Sequence, residues 1–136
     1  MDRNLQLLGM AKKAGALAVG AEDVSSAARK GKAKLVISAR DSIGNALRRA
    51  RSSADAGHVR HIVVPYTSFE LGVVSGRGSP GTVAFLDTGL AAAFMRGLAR
   101  AAPERYGESA DELSNKARAK IEAKRRYTSG KRRTTL

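Results

Sequence analysis

The sequence predicts an α/β protein, a single layered domain to about Ala101 followed by a basic C-terminal extension. Three observations carry this. Short apolar runs alternate with segments of helical periodicity. Glycine and proline punctuate them at Gly20, Gly31, Pro65 and Gly76. Beyond Ala101 the apolar positions thin to one stripe on a charged segment. At 136 residues one domain is expected, with enough chain to bury a core without staples.

The elements follow in order. Asp2 is placed to cap a first helix, with Leu7, Leu8, Ala11 and Ala14 at helical spacing and Gly15 as its stop. Leu17, Ala18 and Val19 form a short strand, and Gly20 turns it into a helix whose first turn carries Glu22 and Asp23, where carboxylates complement the N-terminal partial charge. Val24, Ala27 and Ala28 give that helix one small apolar face, and Gly31 ends it among Lys30, Lys32 and Lys34. Leu35, Val36 and Ile37 then read as a buried strand. Asp41 is expected to cap a third helix with Ile43, Ala46, Leu47 and Ala50 inward and Arg48, Arg49 and Arg51 outward, and residues 52–57 read as a turn-rich linker.

Ile62, Val63 and Val64 form a third strand closed by Pro65. Thr67 and Glu70 make a capping box for a short helix through Phe69, Leu71 and Val74, stopped at Gly76. After the GRGSPG loop, Val83 to Leu86 is a fourth strand. Asp87 caps a fifth helix that buries Leu90, Ala91, Phe94, Met95 and Leu98 and runs out near Pro103. Ser109 with Glu112 suggests one more capping box. The stripe after it, Leu113, Ala117 and Ile121, looks too thin to anchor a core. Lys124, Arg125, Arg126, Lys131, Arg132 and Arg133 form a basic end expected to stay unstructured until it meets a partner.

Charge narrows the function. There are 15 basic and 7 acidic residues up to Ala101, and 10 and 5 beyond it, within a net charge of +13. The surplus is therefore not confined to a tail, and it points to a polyanion, most often nucleic acid. The absence of cysteine removes thiolate zinc sites and thiol nucleophiles and agrees with a reducing cytoplasm. Lys12 and Lys13 break the only apolar stretch that would suggest a signal peptide, and no stretch is apolar enough to span a membrane.

Catalytic and cofactor patterns fail on context. Gly76, Gly78 and Gly81 match G-x-G-x-x-G, but the motif follows a helix, contains Pro80 and leads into a strand, the reverse of a dinucleotide fold. It reads instead as a mobile loop carrying Arg77. His58 and His61 lack a third partner and read as a polar strand entry, while Glu22 and Asp23, adjacent on a helix, point apart. Phe69, Phe85 and Phe94 sit at apolar positions, which argues against a base-stacking platform and for readout of backbone, groove and shape. The unit from Leu17 to Arg40 then reads in two ways, as a backbone turn that closely approaches a ligand or as an ordinary strand–helix–strand unit. The residues alone leave both open.

VGAEDVSSAARKGKAKLVISARD, preceded by LLGMAKKAGAL and followed by HIVVPYTSFELG, resembles the ribosomal-protein family that binds kink-turn RNA, typified by the archaeal large-subunit member, and within it the YlxQ-like bacterial proteins. The resemblance spans about Leu5 to Leu98. It implies a three-layer α-β-α sandwich with a mixed four-stranded sheet, no enzymatic activity, no cofactor and no small-molecule substrate. The implied partner is structured RNA, ribosomal or another kink-turn RNA, and with it the ribosome. Carried over, Gly20, Ala21, Glu22 and Asp23 occupy the turn that enters the RNA groove, and Lys30 ends its helix. Arg40 and Asp41 lie in the neighbouring loop, and Gly76, Arg77, Gly78, Ser79 and Pro80 cover a flipped-out base.

Kink-turn readers carry Asn-Glu with a lysine three residues after the Glu; here Glu22 and Asp23 replace the pair and Ser26 stands in the lysine's place. Glu22 cannot copy the donors of asparagine, whereas Asp23 can still accept from a guanine edge. Lys30, Lys32, Arg77 and the basic residues Lys124, Arg125 and Arg126 are expected to supply phosphate affinity. A protein-interaction adaptor with only general polyanion affinity is the alternative, because fold alone does not fix function.

Overall fold

The computed structural model describes residues 2–134, with side chains to Thr128. The side chains of Lys131, Arg132 and Arg133 lie outside the described residues. The order is α1 (Arg3–Lys13), β1 (Leu17–Val19), α2 (Ala21–Arg29), β2 (Leu35–Ser38), α3 (Gly44–Ala56), β3 (His61–Val63), α4 (Ser68–Ser75), β4 (Thr82–Phe85), α5 (Thr88–Ala101) and α6 (Pro103–Thr134).

The four strands form one mixed sheet in the order β1-β4-β2-β3. β4 is antiparallel to both neighbours, pairing Val83 with Val19 and with Ile37, and β2 is parallel to β3. Side-chain alternation divides the core. Leu17, Val19, Leu35, Ile37, Val83 and Phe85 face α1, α4, α5 and the first part of α6, whereas Ala18, Val36 and Ala84 face α2 and α3. The second face is built mainly of small residues, Ala18 and Ala84 beside Val36, matched by Val24, Ala27, Ala28, Ala50 and Ala54 on its helices. The bulky face is centred on Phe94, whose ring lies 5.1 Å from that of Phe85 and 6.4 Å from that of Tyr66. The molecule is thus a three-layer α-β-α sandwich with a helical C-terminal extension.

Several local signals are used as expected. Asp2 accepts from Asn4 N–H and Asp87 from Leu90 N–H, and the Thr67–Glu70 capping box is complete. Others are redirected by tertiary contacts. Asp41 does not cap α3; its carboxylate accepts from the Ser68 N–H at 2.8 Å and the Ser68 hydroxyl at 2.9 Å, so it joins α4 to the loop after β2. Those two bonds hold its pKa below the ordinary carboxylate value. α3 starts instead at Gly44 with Ile43 exposed, continues through residues 52–56 where a linker was expected, and buries Ala50 and Ala54. The third strand starts one residue early, at His61, and excludes Val64.

The largest correction concerns the extension. Ser109 and Glu112 do not begin a helix, because α6 already starts at Pro103. Tyr106, Ala110 and Leu113 are buried in the main core, with Ala117 packed against it, while Ile121 is exposed. The apolar stripe read as too thin succeeds because Tyr106 and Ala110 lengthen it toward the start of the helix. α6 runs back along α5: Arg96 donates to Ser114 at 3.0 Å and Lys120 to Thr88 at 2.8 Å. Arg60 binds Glu112 at 2.6 Å and fastens the helix to the entry of β3. Arg60, followed by Lys116, holds Glu112 below the usual carboxylate range. The expected unstructured end is corrected too, since the helix includes Lys124, Arg125 and Arg126.

Leu113→Ala should cost about 2–5 kcal/mol, read as a lower denaturation midpoint. Ile121→Ala should stay within about 0.5 kcal/mol. Equal effects would mean that the first part of α6 is not part of the core.

A pH dependence follows from His61, half-buried with Nε2 2.8 Å from the Ser38 hydroxyl. Burial, then Arg51, lowers its pKa against an opposing effect of Asp55. The unfolded chain takes the proton more readily, so this stability is complete above about pH 6.5 and is lost as pH falls from there toward the folded value. Thermal melts should show Tm falling over that window and a flatter profile for His61→Gln. An identical profile in the variant would remove His61 from the explanation.

Candidate nucleic-acid interface

β1, β2 and β3 run in one direction and β4 in the other, so the ends of the first three and the start of β4 meet at one edge of the sheet. This edge collects the Gly20 turn, the loop through Arg40 and Asp41, the Pro65 loop and the 76–81 loop. Backbone bonds close the set: Gly20 N–H to Thr82 O at 2.9 Å, Ala39 N–H to Gly81 O at 2.9 Å, and Arg40 N–H to Tyr66 O at 2.8 Å. The Ser42 hydroxyl adds a bond to Gly81 O at 3.0 Å.

Two glycines make the geometry possible. Gly20 has φ 95° and ψ 157°, a backbone region in which a side chain is strained, and it starts α2 without a side-chain cap. Gly72 lies inside α4, where a Cβ would overlap the Gly78 carbonyl. The 76–81 loop therefore rests directly on helix backbone. Sequence reading missed Gly72, for which a glycine within a helical pattern was the only signal.

From that loop Arg77 reaches across to the Gly20 turn. Its Nη1 donates to Val19 O and to the Asp23 carboxylate, each at 3.0 Å. Arg77 and Asp23 are 58% and 60% exposed, so the ion pair stabilises the fold by at most about 1 kcal/mol. Its consequence is positional: the loop expected to be mobile is clasped to the turn. The guanidinium has five N–H donors and the carboxylate two acceptor oxygens, so the clasp leaves both groups capacity for a ligand.

Beside Arg40 the edge opens into a cleft of about 500 Å³ lined by Arg3, Arg40, Arg100, Arg105, Tyr66 and Tyr106, with Asp2 and Glu70 as its acidic members. Burial, then the bond to Asp2 at 3.0 Å, pushes the Tyr66 hydroxyl far above its ordinary pKa, so it remains a donor. Arg105 lies 5.9 Å from the Tyr106 ring centroid. Of these arginines only Arg40 was expected at the site. The others come from the start of α1, the end of α5 and the start of α6, and no local pattern connects them.

Phe69 requires a correction. It was expected on an apolar face with Phe85 and Phe94, but those two are fully buried and Phe69 is 68% exposed. It belongs to the first turn of α4, next to the Ser68–Asp41 bonds.

The expected site residues divide between two ends of the molecule. Gly20, Ala21, Glu22, Asp23, Arg40, Asp41, Gly76, Arg77, Gly78, Ser79 and Pro80 share the loop edge, and Ser26 lies one turn into α2. Lys30 and Lys32 follow the far end of α2, and Lys124, Arg125 and Arg126 extend past the Lys120–Thr88 contact at that same far end. Among the described residues no group of three acidic, histidine or cysteine side chains is placed to hold a metal ion, and no helix is long and apolar enough to cross a membrane.

No family model matches the sequence, and no curated protein matches it. Solved structures do share the fold. A Bacillus halodurans protein of unknown function is 24% identical with a TM-score of 0.64, covering 71% of this chain and 97% of its own. A Giardia lamblia 15.5 kD RNA-binding protein is 17% identical with a TM-score of 0.55, covering 71% of this chain and 82% of its own.

Gly72→Ala should lower Tm through an overpacking cost of about 1–3 kcal/mol and shift the amide resonances of the 76–81 loop. The exposed-helix expectation is the opposite, a gain of about 1 kcal/mol. Gly107→Ala in α6, where a Cβ meets nothing within 4 Å, should follow that second course. A stabilised Gly72→Ala with unmoved loop resonances would contradict the close contact.

Proposed function

We propose that this chain is a non-catalytic, cytoplasmic RNA-binding protein that recognises bent, structured RNA of the kink-turn kind and works in association with the ribosome. The observation that carries the reading is the Arg77 clasp, which joins the 76–81 loop to the Gly20 turn at one edge. There the Asp23 carboxylate accepts from the N–H groups of a guanine edge, and Arg77 meets the phosphate of the same strand. The arginine cleft continues the phosphate path past Arg40. Exposed Phe69, with Ile43 in the loop that Asp41 ties to α4, offers an apolar surface to an unstacked base. The net charge of +13 and the fold shared with an RNA-binding protein support the same reading.

One observation favours the adaptor alternative. Met10 on α1 and Val73 on α4 are 63% and 57% exposed and line a shallow groove between the two helices. Co-purification of a protein partner that survives nuclease treatment would support it.

Asp23→Ala and Phe69→Ala should each weaken a kink-turn RNA by about 1–3 kcal/mol, or roughly 5- to 150-fold, and weaken a length-matched duplex far less. Titrations of both RNAs at two salt concentrations separate the effects. Equal losses on both RNAs would argue against readout by the turn and leave only general polyanion affinity.

A further inference from the structure

The end of the sandwich opposite the loop edge carries its own organised charge. The Lys34 N–H donates to Phe85 O at 2.7 Å, which sets the turn holding Lys30, Lys32 and Lys34 against the exit of β4. α6 descends to the same place, where Lys120 donates to the Thr88 hydroxyl at 2.8 Å. A groove of about 350 Å³ lies between them, lined by Lys34, Val59, Thr88, Leu113, Lys116 and Lys120.

Three features mark this as a surface for a polyanion. Lys116, Lys120 and Lys124 recur at i, i+4 and i+8, so they form one row along α6, exposed throughout. Like charges at that spacing destabilise an isolated helix, and residues 118–128 of α6 are exposed with no core contact beyond Ala117. Such a row is stabilised by an anion that neutralises it. Three of the acidic groups nearby are engaged, Glu112 with Arg60 and Lys116, Glu122 with Arg126, and Asp87 with the Leu90 N–H.

Distance separates this surface from the loop edge. Helix α2 leads from Gly20 to Lys30, a path of about 15 Å at 1.5 Å per residue, beyond the screening length of about 8 Å in physiological salt. The two ends face away from each other.

We propose that the Lys30–Lys32–Lys34 turn and the Lys116–Lys120–Lys124 row form a second RNA-binding surface that takes the phosphate backbone of a separate RNA segment, so that the protein bridges two segments. It depends on the RNA reading above only for the segment held at the loop edge. The ligand is phosphate backbone rather than bases, because the groove offers lysine donors and one hydroxyl without an exposed aromatic ring.

The test uses the full chain, a donor-labelled kink-turn RNA and an acceptor-labelled RNA duplex. Energy transfer between the two RNAs on adding wild-type protein is expected. The variant Lys34→Gln, Lys116→Gln, Lys120→Gln changes the three lysines that line this groove, glutamine keeps a donor toward Thr88, and an unchanged melting curve verifies its fold. It should abolish the transfer, lower the salt slope of duplex binding by about three, and leave kink-turn affinity within about twofold.

Asp23→Ala should do the reverse, weakening the kink-turn RNA and sparing the duplex. If Asp23→Ala has no selective effect but the lysine variant still loses duplex binding with its salt slope, the loop-edge reading fails and the second surface stands. Transfer that persists in the lysine variant, or wild-type protein that holds only one RNA at a time, would overturn the proposal. So would competition by polyglutamate as effective as by duplex, which would assign the surface to acidic proteins.

Discussion

β4 runs against β1 and β2 while lying between them, so its first residues pair with the last residues of both: Val83 with Val19, and Thr82 with Ser38. A strand entering there must be fed by a loop at that edge, and the 76–81 loop supplies it. Gly20 and Ala39 donate to Thr82 O and Gly81 O, which makes the turn after β1 and the loop after β2 part of one hydrogen-bonded unit. Reversing β4 also sends its exit, and with it Asp87 and the start of α5, to the opposite end. The two charged ends are therefore both consequences of one strand's direction.

The loop edge holds its shape without buried charge. Arg77 and Asp23 are both more than half exposed, and their mutual attraction is screened by water and salt. What fixes Arg77 is the additional bond to the Val19 carbonyl and the contact of its loop with the α4 backbone at Gly72. Such an arrangement is ordered yet open to exchange. An anionic or hydrogen-bonding ligand can replace the water around these groups without first breaking a desolvated pair.

α6 shows how one helix can serve the core and the surface in succession. Its first turns present Tyr106, Ala110 and Leu113 to α5 and the sheet. Arg60 reaches Glu112, and Lys120 reaches Thr88. From residue 118 to residue 128 the same helix is exposed. Burial of the first half supplies the nucleus that an isolated basic helix in water lacks, and the second half extends from it as a preformed charged arm.

The sequence by itself determined the alternation of elements, the caps at Asp2, Thr67 and Asp87, the buried strands and the excess of positive charge. Each depends on neighbours a few residues apart. It also located the Gly20 turn, since a glycine between an apolar strand and an acidic helix start has few other uses. Tertiary structure decided the rest. Asp41 left its own helix for Ser68 because a better-placed pair of donors came from residues 27 positions away. Phe69 turned outward because the core behind α4 is filled by Leu71 and its neighbours. The arginine cleft and the separation of Lys30 and Lys124 from Asp23 depend on strand direction and helix docking, which local periodicity does not encode: a pattern of 3.6 or 2 residues records which face of an element is buried, but not the end at which its charges emerge.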